Sequence, residues 1–284
     1  MNPMQEVAIG EMANPVRVGH GRPLVWIAGP CVVEEKPTMA LAAEQLKRIS
    51  EKLDIPLVFK SSFEKDNRSS DEHYSGPGLD EGLELLAWIR KEFELPVVSD
   101  VHRVSDISAA REVLDVIQIP AFLCQQTSLV VAAGQTGKVV NVKKGQFLSP
   151  EGMLGPVKKL QRTGNHRILL TERGASFGYG HLIADMTAIP TMQRHGYPVV
   201  FDAGHQVRRN GIPSAAPEGG APEFIPSLIR AAIGAGANAV FLETHPNPSE
   251  ALCDAAVQYP IDRIEDLMAK ARDLADLVRE QGHA

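Results

Sequence analysis

Eight times along this chain a short, almost wholly apolar run gives way to a longer amphipathic stretch, and that alternation limits the fold more than any other feature. The runs are PLVWIAG at 23–29, IPLVFKS at 55–61, LPVVSDV at 95–101, DVIQIPA at 115–121, KVVNVKK at 138–144, HRILLTE at 166–172, YPVVFDA at 197–203 and NAVFLET at 238–244. Continuous apolar runs of that length read as strands covered on both faces. The stretches between them carry helical spacing, as Leu79, Leu83, Leu86 and Ile89 do within 78–93, and residues 261–280 are the most regular of all. Strictly alternating βα units imply a parallel sheet, and eight of them favour a closed (β/α)8 TIM barrel over an open sheet. The 284 residues suit one such barrel, which typically takes about 250. IAGPCVV after the first run lacks the glycine pattern of a dinucleotide site. Residues 6–19 read as a small β-hairpin, so the expected division is an N-terminal extension over 1–22 and a catalytic barrel over 23–284.

The net charge of -6 gives no support to a nucleic-acid or anionic-membrane partner. Three widely spaced cysteines make no disulfide framework and fit a reducing compartment, so a cytoplasmic location is expected. The first residues show no basic segment followed by an apolar run, and no stretch approaches the roughly 20 apolar residues of a membrane span.

In this fold active sites are built where the strands end. The polar groups there are Cys31, Lys60, Asp100, Gln118, Lys143, Lys144, Glu172, Arg173, Asp202, His205, Glu243 and His245. A purely structural barrel needs none of them, and charges crowded in a cleft are costly unless paired or ligand-bound. Lys60, Lys65, Arg68, Lys143 and Arg173 form a basic half suited to phosphate or carboxylate. The NRSS run at 67–70 adds an amide, a guanidinium and two hydroxyls. Cys31, His205, Glu243 and Asp254 form a second half whose donor types suit a divalent transition metal, although by spacing alone a cysteine at a strand end is more often a small buried apolar residue.

The blocks GPCVVE, FKSSFEKDNRSS, GPGL, DVIQIPAFLCQQT, VNVKKGQFLSP, TERGASFGYG, FDAGH and ETHPNP…ALCD, in that order over roughly residues 22–280, resemble the 3-deoxy-D-manno-octulosonate 8-phosphate synthase family. The resemblance implies a (β/α)8 barrel, usually a homotetramer, that condenses phosphoenolpyruvate with arabinose 5-phosphate for lipopolysaccharide synthesis. Cys31 stands where that family carries Cys in metal-dependent members and Asn in metal-independent ones. The implied metal ligands are therefore Cys31, His205, Glu243 and Asp254, for a divalent ion such as zinc, iron or manganese. Lys60, Lys143 and Arg173 match phosphoenolpyruvate ligands. Lys65, Asn67, Arg68 and Ser69 match the lining where the substrates meet, Asp100 a contact to sugar hydroxyls, and Phe122 and Gln126 the block that shapes the floor. His205 and Glu243 are placed to move protons as well, and Lys60, Cys31 and Asp254 complete the catalytic set.

The chain departs from the family pattern at Gln125, Ser75, Ser128 and Arg103, and around Pro222. The position of Gln125 usually holds an arginine that grips the sugar phosphate across a subunit contact. Either Arg103, Arg208 or Arg209 compensates, or the acceptor is a different aldose, as in the related heptulosonate 7-phosphate synthases. Two further classes compete: a Schiff-base aldolase using Lys143, and a sugar-phosphate binding protein without catalysis.

Overall fold

The structure, a computed structural model, describes residues 4–11, 14–66, 73–209, 211–213 and 216–282. The hairpin forms as expected, β1 (Val7–Ile9) pairing antiparallel with β2 (Val16–Val18). Eight parallel strands follow: β3 (Val25–Gly29), β4 (Leu57–Lys60), β5 (Val97–Asp100), β6 (Val116–Ile119), β7 (Val139–Lys143), β8 (Ile168–Glu172), β9 (Val199–Asp202) and β10 (Ala239–His245). β10 pairs with both β9 and β3, which closes the ring. Every expected run contains its strand, with up to two residues lost at an end and β10 running one residue further. A two-residue strand, β11 (Tyr259–Pro260), adds to the top of β10.

The connecting helices are α1 (Lys36–Leu53), α2 (Leu79–Glu92), α3 (Ile107–Val113), α4 (Thr127–Gln135), α5 (Leu154–Arg162), α6 (Ala188–Gln193), the single turn α7 (Ala203–Gln206), α8 (Ile225–Gly234) and the closing α9 (Ile264–Glu280). α9 buries Ile264, Leu267, Met268 and Ala271, one stripe at helical spacing, and places Glu265 and Asp266 at its positive N-terminal end. It begins later than residue 261 because Ile261–Arg263 turn as a 3-10 helix first. Among the described residues no helix is long and apolar enough to cross a membrane.

Successive strand side chains point to opposite faces. One parity, including Trp26, Phe59, Ile117, Val142, Phe201 and Leu242, packs between the sheet and the helices. The other parity fills the barrel. Its lower rows are Val25, Ile27, Val58, Val98, Val116, Val139, Leu169, Val200 and Phe241, and Val7, Ile9 and Val18 of the hairpin join that cluster. The hairpin thus plugs the N-terminal end with apolar side chains. Continued toward the strand ends, the same parity delivers Lys60, Asp100, Gln118, Asn141, Lys143, Thr171, Asp202 and Glu243, all buried. One inward face is therefore apolar at the plugged end and ionic at the open end.

Candidate active site

The centre of the open end is an ion pair between neighbouring parts of the ring. Lys60 Nζ donates to Glu243 Oε1 at 2.5 Å and to the Cys31 carbonyl at 2.7 Å. Its approach depends on Gly29: a Cβ there would lie 2.2 Å from the Lys60 carbonyl oxygen, at a φ of 153° that side chains rarely adopt. Burial alone would raise the Glu243 carboxyl, but Lys60 and Lys65 outweigh it and hold it down at about 2.

A hydrogen-bonded belt runs from there around the ring. Lys65 Nζ donates to Asp100 Oδ2 at 2.9 Å, and the Ser62 hydroxyl donates to the same oxygen at 2.9 Å. Gln118 Nε2 donates to Asp100 Oδ1 at 2.6 Å, Asn141 Nδ2 to Gln118 Oε1 at 2.8 Å, and Thr171 Oγ1 to Asn141 Oδ1 at 2.7 Å. Strand register makes this possible, because Asp100, Gln118 and Asn141 are successive cross-strand partners. Burial opposes ionisation of Asp100, yet Lys65, Lys60 and Lys143 keep its carboxyl well below the ordinary range. Burial likewise disfavours the Lys65 ammonium, and Asp100 with its neighbours more than restores it.

The opposite side is organised by Asp202. Lys143 Nζ donates to its Oδ2 at 2.7 Å and lies 3.7 Å above the Phe241 ring. Asp202 also caps α7, accepting from the His205 amide at 3.1 Å, and its Oδ2 lies 2.9 Å from His205 Nδ1. Burial is again overcome, here by His205 and Lys143, which hold Asp202 far below a normal carboxyl. With Nδ1 engaged, Nε2 is the His205 nitrogen available to a metal or a proton, the carboxylate–histidine arrangement common around metal centres.

The expected metal ligands fall in two overlapping groups. His205, Glu243 and Asp254 bring ligand atoms within 4.8 Å of one another, as do Cys31, Cys253 and Asp254. Asp254 is shared, and Cys31 Sγ lies 3.4 Å from its Oδ2. Glu243 Oε2 is buried with no hydrogen-bond partner, while Oε1 serves Lys60. Sulfur, imidazole and carboxylate donors with an orphaned carboxylate oxygen fit a borderline-soft divalent ion. Burial, and Cys253 beside it, push the Cys31 thiol well above its usual range, so a bound cation would have to ionise it.

Arg173, just beyond β8, is buried, and its Nε and Nη1 have no partner. Burial pulls its guanidinium below the ordinary range. His102 is also buried, with neither ring nitrogen partnered, and burial lowers its pKa. The expected basic and metal halves are not separate: Lys60 is paired with Glu243, and Lys143 with Asp202, the carboxylate that also engages His205, because the strands that carry them converge on one barrel axis. Gln126 stands at the N-cap position of α4 with no side-chain capping bond and is exposed, as is Phe122. Asn67, Arg68 and Ser69 lie outside the described residues. The belt residues Asn141 and Thr171, along with Ser62, His102 and Cys253, escaped sequence reasoning. Parity along each strand would have found the first two, since each sits two residues beyond an inward apolar residue.

A closed (β/α)8 barrel with buried cations and carboxylates gathered at the ends of its strands has the architecture of an enzyme whose active site lies at that end. Residues 6–280 match the DAHP synthetase I family, and the chain belongs to that family. It is 49% identical over 275 residues to a 2-dehydro-3-deoxyphosphooctonate aldolase of Geobacter metallireducens, covering 97% of this chain and 99% of that one. A protein of the same name from Trichlorobacter lovleyi is 48% identical over 97% of this chain and 99% of its own length. Another from Protochlamydia amoebophila is 47% identical over 98% and 100%.

Proposed function

We propose that this chain is a transferase that condenses phosphoenolpyruvate with D-arabinose 5-phosphate and water. The products are 3-deoxy-D-manno-octulosonate 8-phosphate, the phosphooctonate named in its relatives, and inorganic phosphate, in the supply of lipopolysaccharide sugar. The observation that carries the reading is Arg173: a buried guanidinium with two nitrogens that no protein group partners suits an anionic ligand. Lys60, Lys143 and Arg173 hold the phosphate and carboxylate of phosphoenolpyruvate. Lys65, Asn67, Arg68 and Ser69 line the place where the substrates meet, Asp100 receives sugar hydroxyls, and Gln126 belongs to the block that shapes the floor.

C3 of the enol attacks the aldehyde carbon, and the aldehyde oxygen takes up a proton. Water adds at C2 and gives up a proton, forming a tetrahedral phosphohemiketal whose C2–O bond to phosphate then breaks as the C2 hydroxyl loses its proton to become the ketone. Much of the acceleration comes from holding C3 against the aldehyde and from fixed cations facing the developing charges. His205, oriented by Asp202, is placed to exchange a proton through Nε2. Cys31, His205, Glu243 and Asp254 would hold a divalent ion of the zinc, iron or manganese type, which when bound supplies Lewis acidity and a more acidic water. Lys143, whose ammonium nitrogen lies 2.7 Å from Asp202, is assigned to holding the anion rather than to a Schiff base.

The chain works as a cytoplasmic homo-oligomer, a tetramer in this proposal. Exposed Phe122, Phe147, Phe177, Tyr179 and Phe224 on loops that follow barrel strands support a partner copy there. Residues 23–284 form the catalytic domain. Phosphate release from phosphoenolpyruvate with a panel of aldoses tests the reading. Release that requires arabinose 5-phosphate is expected. Release with no aldose dependence, or none at all, would overturn it.

A further inference from the structure

The loop after β10 carries a donor that the four-residue metal set does not include. Cys253 is 1% exposed, and the Cys31 thiol donates to its sulfur at an Sγ–Sγ distance of 3.0 Å. That separation is far longer than the roughly 2.05 Å of a disulfide. The two sulfurs come from opposite ends of the barrel's chain order, one just past β3 and one past β10, which are adjacent in the ring.

The loop is built to present its donors there. Asp254 adopts a left-handed backbone, φ 51° and ψ 33°, and its carbonyl accepts from the Val257 amide at 2.9 Å. Such a conformation costs energy in a residue other than glycine and tends to persist where a site over-determines it. Gln258 Nε2 fixes the preceding unit by donating to the Cys253 carbonyl at 2.8 Å. Cys31, Cys253 and Asp254 are thereby held with ligand atoms within 4.8 Å of one another, and Asp254 belongs equally to the group with His205 and Glu243.

We propose that Cys253 is a second sulfur donor to the divalent ion assigned to Cys31, His205, Glu243 and Asp254; this rests on the metal reading above. The chemical consequence is selectivity. Two thiolates favour zinc, ferrous iron and cobalt over magnesium and manganese, whose preferred donors are oxygen. The added negative charge also tempers the Lewis acidity of the ion, and the buried Lys60 and Lys65 next to Glu243 offset that charge.

Cobalt(II) is the probe, because sulfur-to-cobalt charge transfer in the near ultraviolet grows with the number of bound thiolates. The full chain, stripped of metal and titrated with one equivalent of cobalt, should show a band that falls to about half per bound ion in Cys253→Ser and in Cys31→Ser. The band should vanish in the double variant. Cys253→Ala serves as a second variant, and far-ultraviolet circular dichroism checks that each protein is folded. A band unchanged in both Cys253 variants and abolished by Cys31→Ser alone would overturn this proposal and leave the metal site standing. No band in the parent protein would overturn the metal site together with it, while phosphate release tests the reaction separately.

Discussion

Lys60 Nζ stands 2.5 Å from Glu243 Oε1, with each side chain only 1% exposed, and Lys65 reaches the same oxygen at 3.7 Å. Removing one member of a buried pair strands the other charge. Glu243→Ala should therefore cost about 3–5 kcal/mol of stability, read by urea unfolding of the metal-free protein. A loss within the scatter of surface substitutions would mean that the two ammonium groups find water or another partner.

Acid should destabilise the barrel mouth in a defined window. Lys60 and Lys65, against burial, hold Glu243 at about 2 from an ordinary 4.5, and Asp100 and Asp202 are depressed in the same direction. All three bind protons more weakly folded than unfolded. Their contribution is complete above the unfolded pKa values and drains away as pH falls toward 2. Melting temperature should drop through that interval, and Lys65→Met should flatten the dependence most toward its acid end. An unchanged slope in that variant would exclude Lys65 as a cause.

Chelation should abolish turnover, and a divalent ion should restore it. Asp202→Asn removes the carboxylate that orients His205 and should weaken metal retention by about 10–100-fold, measured by metal content after dialysis. Glu243→Ala should lose metal as well. Full activity in a demonstrably metal-free preparation would sink the assignment.

The anion site predicts a different signature. Arg173→Ala and Lys143→Ala should each cost about 2–4 kcal/mol in kcat/KM for phosphoenolpyruvate, the range for losing a fixed charged donor. Near-normal efficiency in either variant would move the ligand elsewhere.

At the sugar-phosphate end, Arg103 is already spent. It donates to Glu64 at 2.6 and 2.8 Å and to Asp66 at 2.9 Å. Arg103→Ala should leave the arabinose 5-phosphate constant nearly unchanged. Arg208, whose Nη1 is buried without a partner, is the better compensating cation, and Arg208→Ala should raise that constant about ten-fold or more, the worth of one charged hydrogen bond. Gln125→Arg should lower it while sparing the phosphoenolpyruvate constant. Steady-state kinetics on the three variants separate these outcomes, and selective damage by Arg103→Ala would reverse the assignment.

The sequence alone determined the barrel, because its signal is local: Val- and Ile-rich runs at 115–121 or 197–203 can be covered on both faces only in a parallel sheet flanked by helices. It also identified Lys60, Arg173 and Glu243 as strand-end groups, since where a run stops being apolar is visible in one dimension. Pairing was not visible. Lys60 and Glu243 are separated by 183 residues and meet only because β3, flanked by β4 and β10, closes the ring. The Asp100–Gln118–Asn141–Thr171 belt depends on register, which no single strand carries. The contact of Cys31 with Cys253 depends on the left-handed turn at Asp254, whose energy is set by the surrounding fold. Local chemistry fixes which groups reach the barrel mouth, whereas long-range closure decides which of them share a charge, a proton or an ion.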